Sequence, residues 1–238
     1  MRVKPWIMAA LLASLSAGSA MAEDAKFKLV LRGISAGSLS WSGKGEPGGA
    51  YTVTGILRTS GLAAMLKKVR YEAGAKGSIT AKGNFVAASY TEDANTGKRH
   101  SQSSILWKGG VPTVKNSSER EPKPWDIDPA SQKGTVDPLT AMYAALREVP
   151  AGQECRVNLN MFDGRRASRV SLGGRQASGQ TVTCAGEYRR VAGFSPEDMA
   201  EKTRFPFTLT YAPAGEGRMR VVEVAMDTLY GKARLVRE

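Results

Sequence analysis

The sequence predicts a mainly β protein: one curved antiparallel sheet with a single main amphipathic helix packed on its concave face. Three observations carry this. Short segments of alternating polar and apolar residues recur along most of the chain, divided by glycine-rich turns. Parallel βαβ units would need a helix in nearly every gap, and helical periodicity is confined to a few places. The strongest helical segment lies between two blocks of strands, where a many-stranded sheet needs cover for its apolar side chains.

The elements are taken in order. Residues 1–22 read as a secretory signal peptide: Arg2 and Lys4 give a basic start, 6–15 is uncharged and largely apolar, and Ala20-Met21-Ala22 supplies small residues for cleavage. No later stretch is long and apolar enough for a membrane helix, so the mature chain is expected to be exported and soluble, with 23–238 forming one domain. Strands are expected at 26–32, 51–57, 68–79, 85–91 and 102–107, then at 155–162, 166–172, 180–189, 203–211, 218–226 and 232–236. Between the blocks, 116–134 holds Pro122, Pro124 and Pro129 among polar residues and reads as a crossing loop. Its one aromatic residue, Trp125, either anchors the loop to the sheet or covers a ligand.

A helix over 137–147 follows. Asp137 is placed to cap it, Pro138 suits its first turn, and Leu139, Met142, Tyr143 and Leu146 recur at helical spacing. A second short helix is expected to start at Ser195-Pro196-Glu197-Asp198, and a further turn at 61–67.

Cys155 and Cys184 are the only cysteines. In an oxidising compartment they are expected to form a structural disulfide, with Cys155 opening one strand and Cys184 inside another. Without Arg2 and Lys4, the 34 basic residues become 32 against 22 acidic, a net charge of +10. Such a surplus favours anionic partners, and export sets nucleic acid aside. It also keeps a β-rich surface soluble and its sheet edges unpaired.

Motifs for chemistry are sparse. Gly43-Lys44-Gly45-Glu46-Pro47-Gly48 spells a dinucleotide loop but leads into a strand, so it reads as a hairpin loop. His100 is the only histidine, which rules out a histidine metal cluster, and neither a GxSxG elbow nor an SxxK pair is present. No catalytic residue, metal or cofactor is expected. Asp126, Asp128 and Asp137 are the nearest approach to an acid/base pair. Arg165, Arg166 and Arg169, with Arg175, Arg189 and Arg190, form the densest basic feature, either a solvated face or a grip for an anionic headgroup.

Leu31-Arg32-Gly33-Ile34-Ser35-Ala36-Gly37, Tyr51-Thr52-Val53, Thr59-Ser60-Gly61-Leu62, Asp137-Pro138-Leu139-Thr140 with Tyr143 and Leu146-Arg147, and Phe162-Asp163-Gly164 resemble the domain of unknown function 3108 family. The resemblance spans nearly the whole mature chain. It implies a periplasmic envelope protein of Gram-negative bacteria with a strongly curved antiparallel sheet, a β-clam, spiral or half-open barrel, reminiscent of lipoprotein carriers and periplasmic β-spiral proteins. It brings no catalytic residues.

The expected role is therefore non-catalytic: binding a lipid or other anionic or amphiphilic envelope component in or beside the sheet groove. Trp41, Tyr51, Trp107 and Trp125 are the candidate lining, with Arg165, Arg166 and Arg169 near the rim. The alternative is a protein scaffold for envelope integrity that takes no small ligand. An enzyme acting on cell-wall glycan is the third reading.

Overall fold

Alternating side chains become fourteen strands in a computed structural model that describes residues 22–61, 64, 68–97, 100–116, 122–228 and 231–238. The expected leader, most of the turn at 61–67 and the start of the crossing loop lie outside the described residues. The first half holds β1 (Glu23–Leu31), β2 (Ile34–Gly45), β3 (Ala50–Thr59), β4 (Arg70–Ile79), β5 (Phe85–Asn95), β6 (His100–Lys108) and β7 (Val111–Asn116). After helix α1 (Pro138–Leu146) come β8 (Val149–Pro150), β9 (Asn158–Phe162), β10 (Ala167–Ser178) and β11 (Thr181–Ala192). Helix α2 (Pro196–Glu201), β12 (Arg204–Gly215), β13 (Arg218–Thr228) and β14 (Gly231–Arg237) complete the chain.

All strands belong to one antiparallel sheet. Its order is β7-β6-β5-β4-β3-β2-β1-β14-β13-β12-β11-β10-β9, with β8 added beside β13. The meander of β1–β7 is thus joined to the meander of β9–β14 through the pairing of β1 with β14. No ladder joins β7 to β9, so the sheet is not closed. The crossing loop bridges that seam instead. Gly134 N donates to Gly110 O in the β6–β7 turn (2.8 Å), while Val136 exchanges bonds with β9, its N donating to Asn160 O and its O accepting from Phe162 N (both 2.9 Å). Within the loop, Asp128 caps a 3-10 turn at Pro129–Ser131 and Trp125 is half-buried.

The sheet wraps round α1. Tyr51 of β3 bonds to Thr140, and from the other half Tyr211 of β12 donates to Ala145 O (3.2 Å). The helix was expected to be amphipathic, with one face buried. Instead Leu139, Thr140, Ala141, Tyr143, Ala144, Ala145 and Leu146 are all buried, as in a helix enclosed on nearly every side. The alanines look polar-tolerant in sequence, yet here they let two sheet halves approach one rod.

Three strands were absent from the expectation. β2 is rich in Ser and Gly, residues with weak strand preference, yet its inward positions bury Leu39 and Trp41 and place Gly43 against the ring of Tyr143. β7 carries Pro112 and is an edge strand, where proline is tolerated, and β8 has only two residues. Cys155 does not open a strand: it sits in a turn at φ 63°, three residues before β9. The Cys155–Cys184 disulfide forms as expected, with Cα atoms 5.4 Å apart, and ties this turn to β11, two strands from β9 in the sheet.

Candidate functional site

The helix is too short to fill the space the sheet encloses. Nine residues make a rod of about 14 Å, whereas strands of 10 to 12 residues run about 33 to 40 Å. Beside the N-terminal half of α1, where Leu139 and Met142 form one wall, an open cavity of about 420 Å³ remains.

Its other walls follow from register. Leu57 is opposite Leu39, Leu29 is opposite Leu235, and Leu235 is opposite Val224, so one apolar surface crosses β3, β2, β1, β14 and β13. Ala73 and Ala233 add only methyl groups, which keeps the space open. Met142 and Met226 contribute unbranched side chains that adapt to irregular contents.

Polar groups lie among the lining. Glu92 accepts a hydrogen bond from the Tyr90 hydroxyl (2.6 Å), and burial, with Glu92 alongside, raises that phenol well above its ordinary pKa. Tyr71 is 36% exposed; burial and then Glu92 push its hydroxyl up, and Arg166 acts in the opposite sense. Arg166 therefore lies within electrostatic reach of this lining although it comes from β10's approach. Arg234 is paired with Glu223.

The cap of α1 is the most deeply buried carboxyl in the vicinity. Asp137 accepts from Thr140 N (2.7 Å) and from the Thr140 hydroxyl (2.6 Å), and burial raises it to about 6 even against these bonds.

The other expected site residues are scattered. Trp41 and Tyr51 are core: Trp41 meets Tyr143 edge-on at 5.4 Å between ring centres, and Tyr51 packs against Phe85 at 5.2 Å. Trp107 is also buried, and none of these three lines the apolar cavity; nor does Trp125. Arg165 is half-buried in the turn that Asp163 organises, with the carboxylate accepting from Arg165 N (2.9 Å) and Arg166 N (2.8 Å). Arg166 stacks over Phe194 (5.2 Å), and Arg169 donates to Asn158 (2.8 Å). Arg166 is tied to the lining through Tyr71.

The remaining candidates have local duties. Asp126 accepts from Lys123 N (2.8 Å) and Asp128 from Ala130 N (2.9 Å). Arg175 pairs with the buried Glu154 at 3.0 Å, and burial of that carboxyl is outweighed by Arg175 and backbone N–H donors, so it titrates below the ordinary range. Arg190 stacks on Phe194 and Phe205. His100 is exposed and meets Asp93 at 2.8 Å. The cavity leucines were missed because alternation marks a residue as inward, but the uncovered length of wall depends on where the helix stops.

These features define a mainly β protein: one open fourteen-stranded antiparallel sheet wrapped round an internal helix, with an apolar cavity beside it. The chain belongs to the family described as "Protein of unknown function (DUF3108)", which matches residues 26–236. No curated protein matches it. Among solved structures it is similar to a beta-barrel-like protein of domain of unknown function DUF1849 from Brucella abortus, at 15% identity and a TM-score of 0.48, over 90% of this chain and 94% of that one. Among the described residues, no helix is long and apolar enough to cross a membrane.

Proposed function

We propose that the protein is a non-catalytic periplasmic binder of an amphiphile, holding the apolar chain of a lipid or lipidated envelope component in the cavity beside α1. The observation that carries this reading is the 420 Å³ apolar cavity itself. It is nearly three times a dry cavity of about 150 Å³ that accommodates benzene, so it has room for a single chain of roughly 15 carbons. Each buried methylene contributes about 0.8 kcal/mol before the costs of ordering the chain. The basic balance of the protein and the position of Arg166 suit an anionic headgroup left outside.

The periplasmic assignment rests on the leader pattern and on the disulfide, which suits an oxidising compartment. The experiment is organic extraction of protein purified from its native periplasm, followed by mass spectrometry. A near-stoichiometric single-chain amphiphile is expected, and Ala233→Trp, which fills the cavity, should release it. A blank extract, together with no saturable uptake of a fluorescent C16 fatty acid, would overturn the reading.

A further inference from the structure

The solvent face of the first half of the sheet carries a second concavity, a trough of about 1290 Å³. Strand register builds its floor. Ser42 is opposite Thr54, Thr54 opposite Gly74, Gly74 opposite Thr91, and Thr91 opposite Ser104, so one row crosses five strands, about 19 Å at the spacing of a sheet. Ser40 belongs to the adjacent row. The hydroxyls of Ser40, Ser42, Thr54, Thr91 and Ser104 make no hydrogen bond within the protein among the described residues. Hydroxyls elsewhere are engaged, as at Thr59, Thr80, Thr135 and Thr140.

Gly74 supplies the second observation. Glycine in a strand interior is unfavourable and has a reason when it persists. For Gly37, Gly43, Gly45, Gly55 and Gly77 the reason is packing, since an added Cβ would come within 2.1 to 2.8 Å of a neighbour. At Gly74 the nearest contact would be an ordinary 3.4 Å, to the Thr91 hydroxyl oxygen, and no positive φ demands glycine. Folding does not require glycine there. A glycine that keeps the middle of a trough deep is what close approach by a ligand requires.

Charge then selects the ligand. The protein as a whole carries +12, but the trough is lined by five acidic residues, Asp24, Glu72, Glu92, Asp93 and Glu238, against two lysines, Lys26 and Lys115. Glu72 is paired with Arg70, Glu238 with Lys26, and Asp93 accepts from His100 (2.8 Å) and Gln102 (2.7 Å). Glu92 is engaged by Tyr90. Glu92 and Asp93 are held by hydroxyl, amide and imidazole groups and not by Lys or Arg, and Asp24 and Lys115, at the two ends of the trough on β1 and β7, have no ion-pair partner among the described residues. A polyanion finds no run of countercharges here, and most of the carboxylates already hold donors from the protein, so the row of unbonded hydroxyls is the polar surface a ligand meets.

We propose that this trough binds an uncharged, hydroxyl-rich chain, a glycan segment, laid across β2–β6 over Gly74. Each hydroxyl exchanges water for a sugar hydroxyl, a trade with little gain, so affinity should be weak for one sugar and rise with chain length. The site lies on the opposite face of the sheet from the apolar cavity, with Gly55, Ile56, Ala73 and Glu92 as shared wall, and its test does not depend on what that cavity holds.

The test uses the mature protein with its disulfide intact, titrated with cello-, malto- and chito-oligosaccharides of one to six units and followed by amide chemical shifts. At least one series should bind with affinity increasing from monomer to hexamer and shifts confined to β2–β6. Gly74→Tyr should weaken the hexamer at least tenfold with an unchanged thermal midpoint, and Thr54→Tyr should do the same should the glycine variant fail to fold. Thr208→Tyr, on the solvent face of β12, should have no effect. Absence of binding by all three hexamers at millimolar concentration, shifts outside β2–β6, or saturation by oligolysine or polyglutamate in place of the neutral chains would overturn the proposal.

Discussion

The hydroxyls of Tyr51 and Thr140 lie 2.7 Å apart although 89 residues separate them in the chain. Thr140 spends its proton on Asp137, so Tyr51 is the donor, and β3 is joined through one relay to the cap of α1. The crossing loop, the helix and the first half of the sheet meet at this relay.

Removing the two ends of the relay should have unequal effects. Tyr51→Phe deletes one bond while Thr140 keeps its partner, and should cost about 0.5–1.5 kcal/mol. Asp137→Ala removes a cap and strands the Thr140 N–H in a buried site, and should cost about 1–3 kcal/mol. Urea unfolding of the two variants checks the order; a larger loss for Tyr51→Phe would contradict it.

Asp137 also sets a pH dependence. Its folded pKa, about 6, is above the ordinary 3.8, so the native state binds its proton more tightly than the unfolded chain does. The stability this provides is present below about pH 4 and is lost as pH rises to about 6, with a slope set by the difference in bound protons. Burial raises Asp163 and Glu23 as well, with the same sign, whereas Asp93, held by Gln102 and His100, is lowered and acts in the opposite sense. Asp137→Asn should flatten the stability profile between pH 4 and 6, measured by thermal unfolding at each pH; an unchanged slope would assign it to other groups.

Gly43 is the point where β2 touches the helix. A Cβ there would sit 2.7 Å from Tyr143 Cε2, so Gly43→Ala must push the ring or the strand and should cost about 1–3 kcal/mol. Gly74→Ala, on the opposite face of the sheet with ordinary spacing, should be neutral or stabilising by a few tenths of a kcal/mol. Denaturation midpoints of the pair distinguish packing from strand propensity.

The disulfide closes a loop across 29 positions, which in the chain-entropy model stabilises by about 3–4 kcal/mol. Replacing both cysteines with serine should lower stability by that order, and Cys184, fully buried beside Leu209 in β12, should make the reduced form prone to local opening of β9. Hydrogen exchange of β9 and β11 checks this; equal protection with and without the disulfide would rule it out.

Much of this protein is legible in one dimension. Period-two alternation marks β1, β3 and β10–β14, because a half-buried strand must alternate. Asp137-Pro138 marks the start of α1 and Ser195-Pro196 that of α2, because orphan N–H groups at a helix start need a short polar acceptor. The two cysteines, the only pair in the sequence, mark the disulfide.

The rest is decided by contacts between segments distant in sequence. β2 is a strand despite its Ser and Gly content because its neighbours on both sides supply the ladder and Tyr143 fills the room its glycine leaves. Whether Trp41 and Tyr51 line a groove or plug a core depends on where the helix lies against them, and that is set by the far halves of the sheet meeting around it. The apolar cavity exists because a nine-residue rod is shorter than its enclosing strands, and the polar trough because register aligns hydroxyls from four strands about a glycine on a fifth. Local sequence dictates which way each side chain points; only the assembled sheet dictates what it meets.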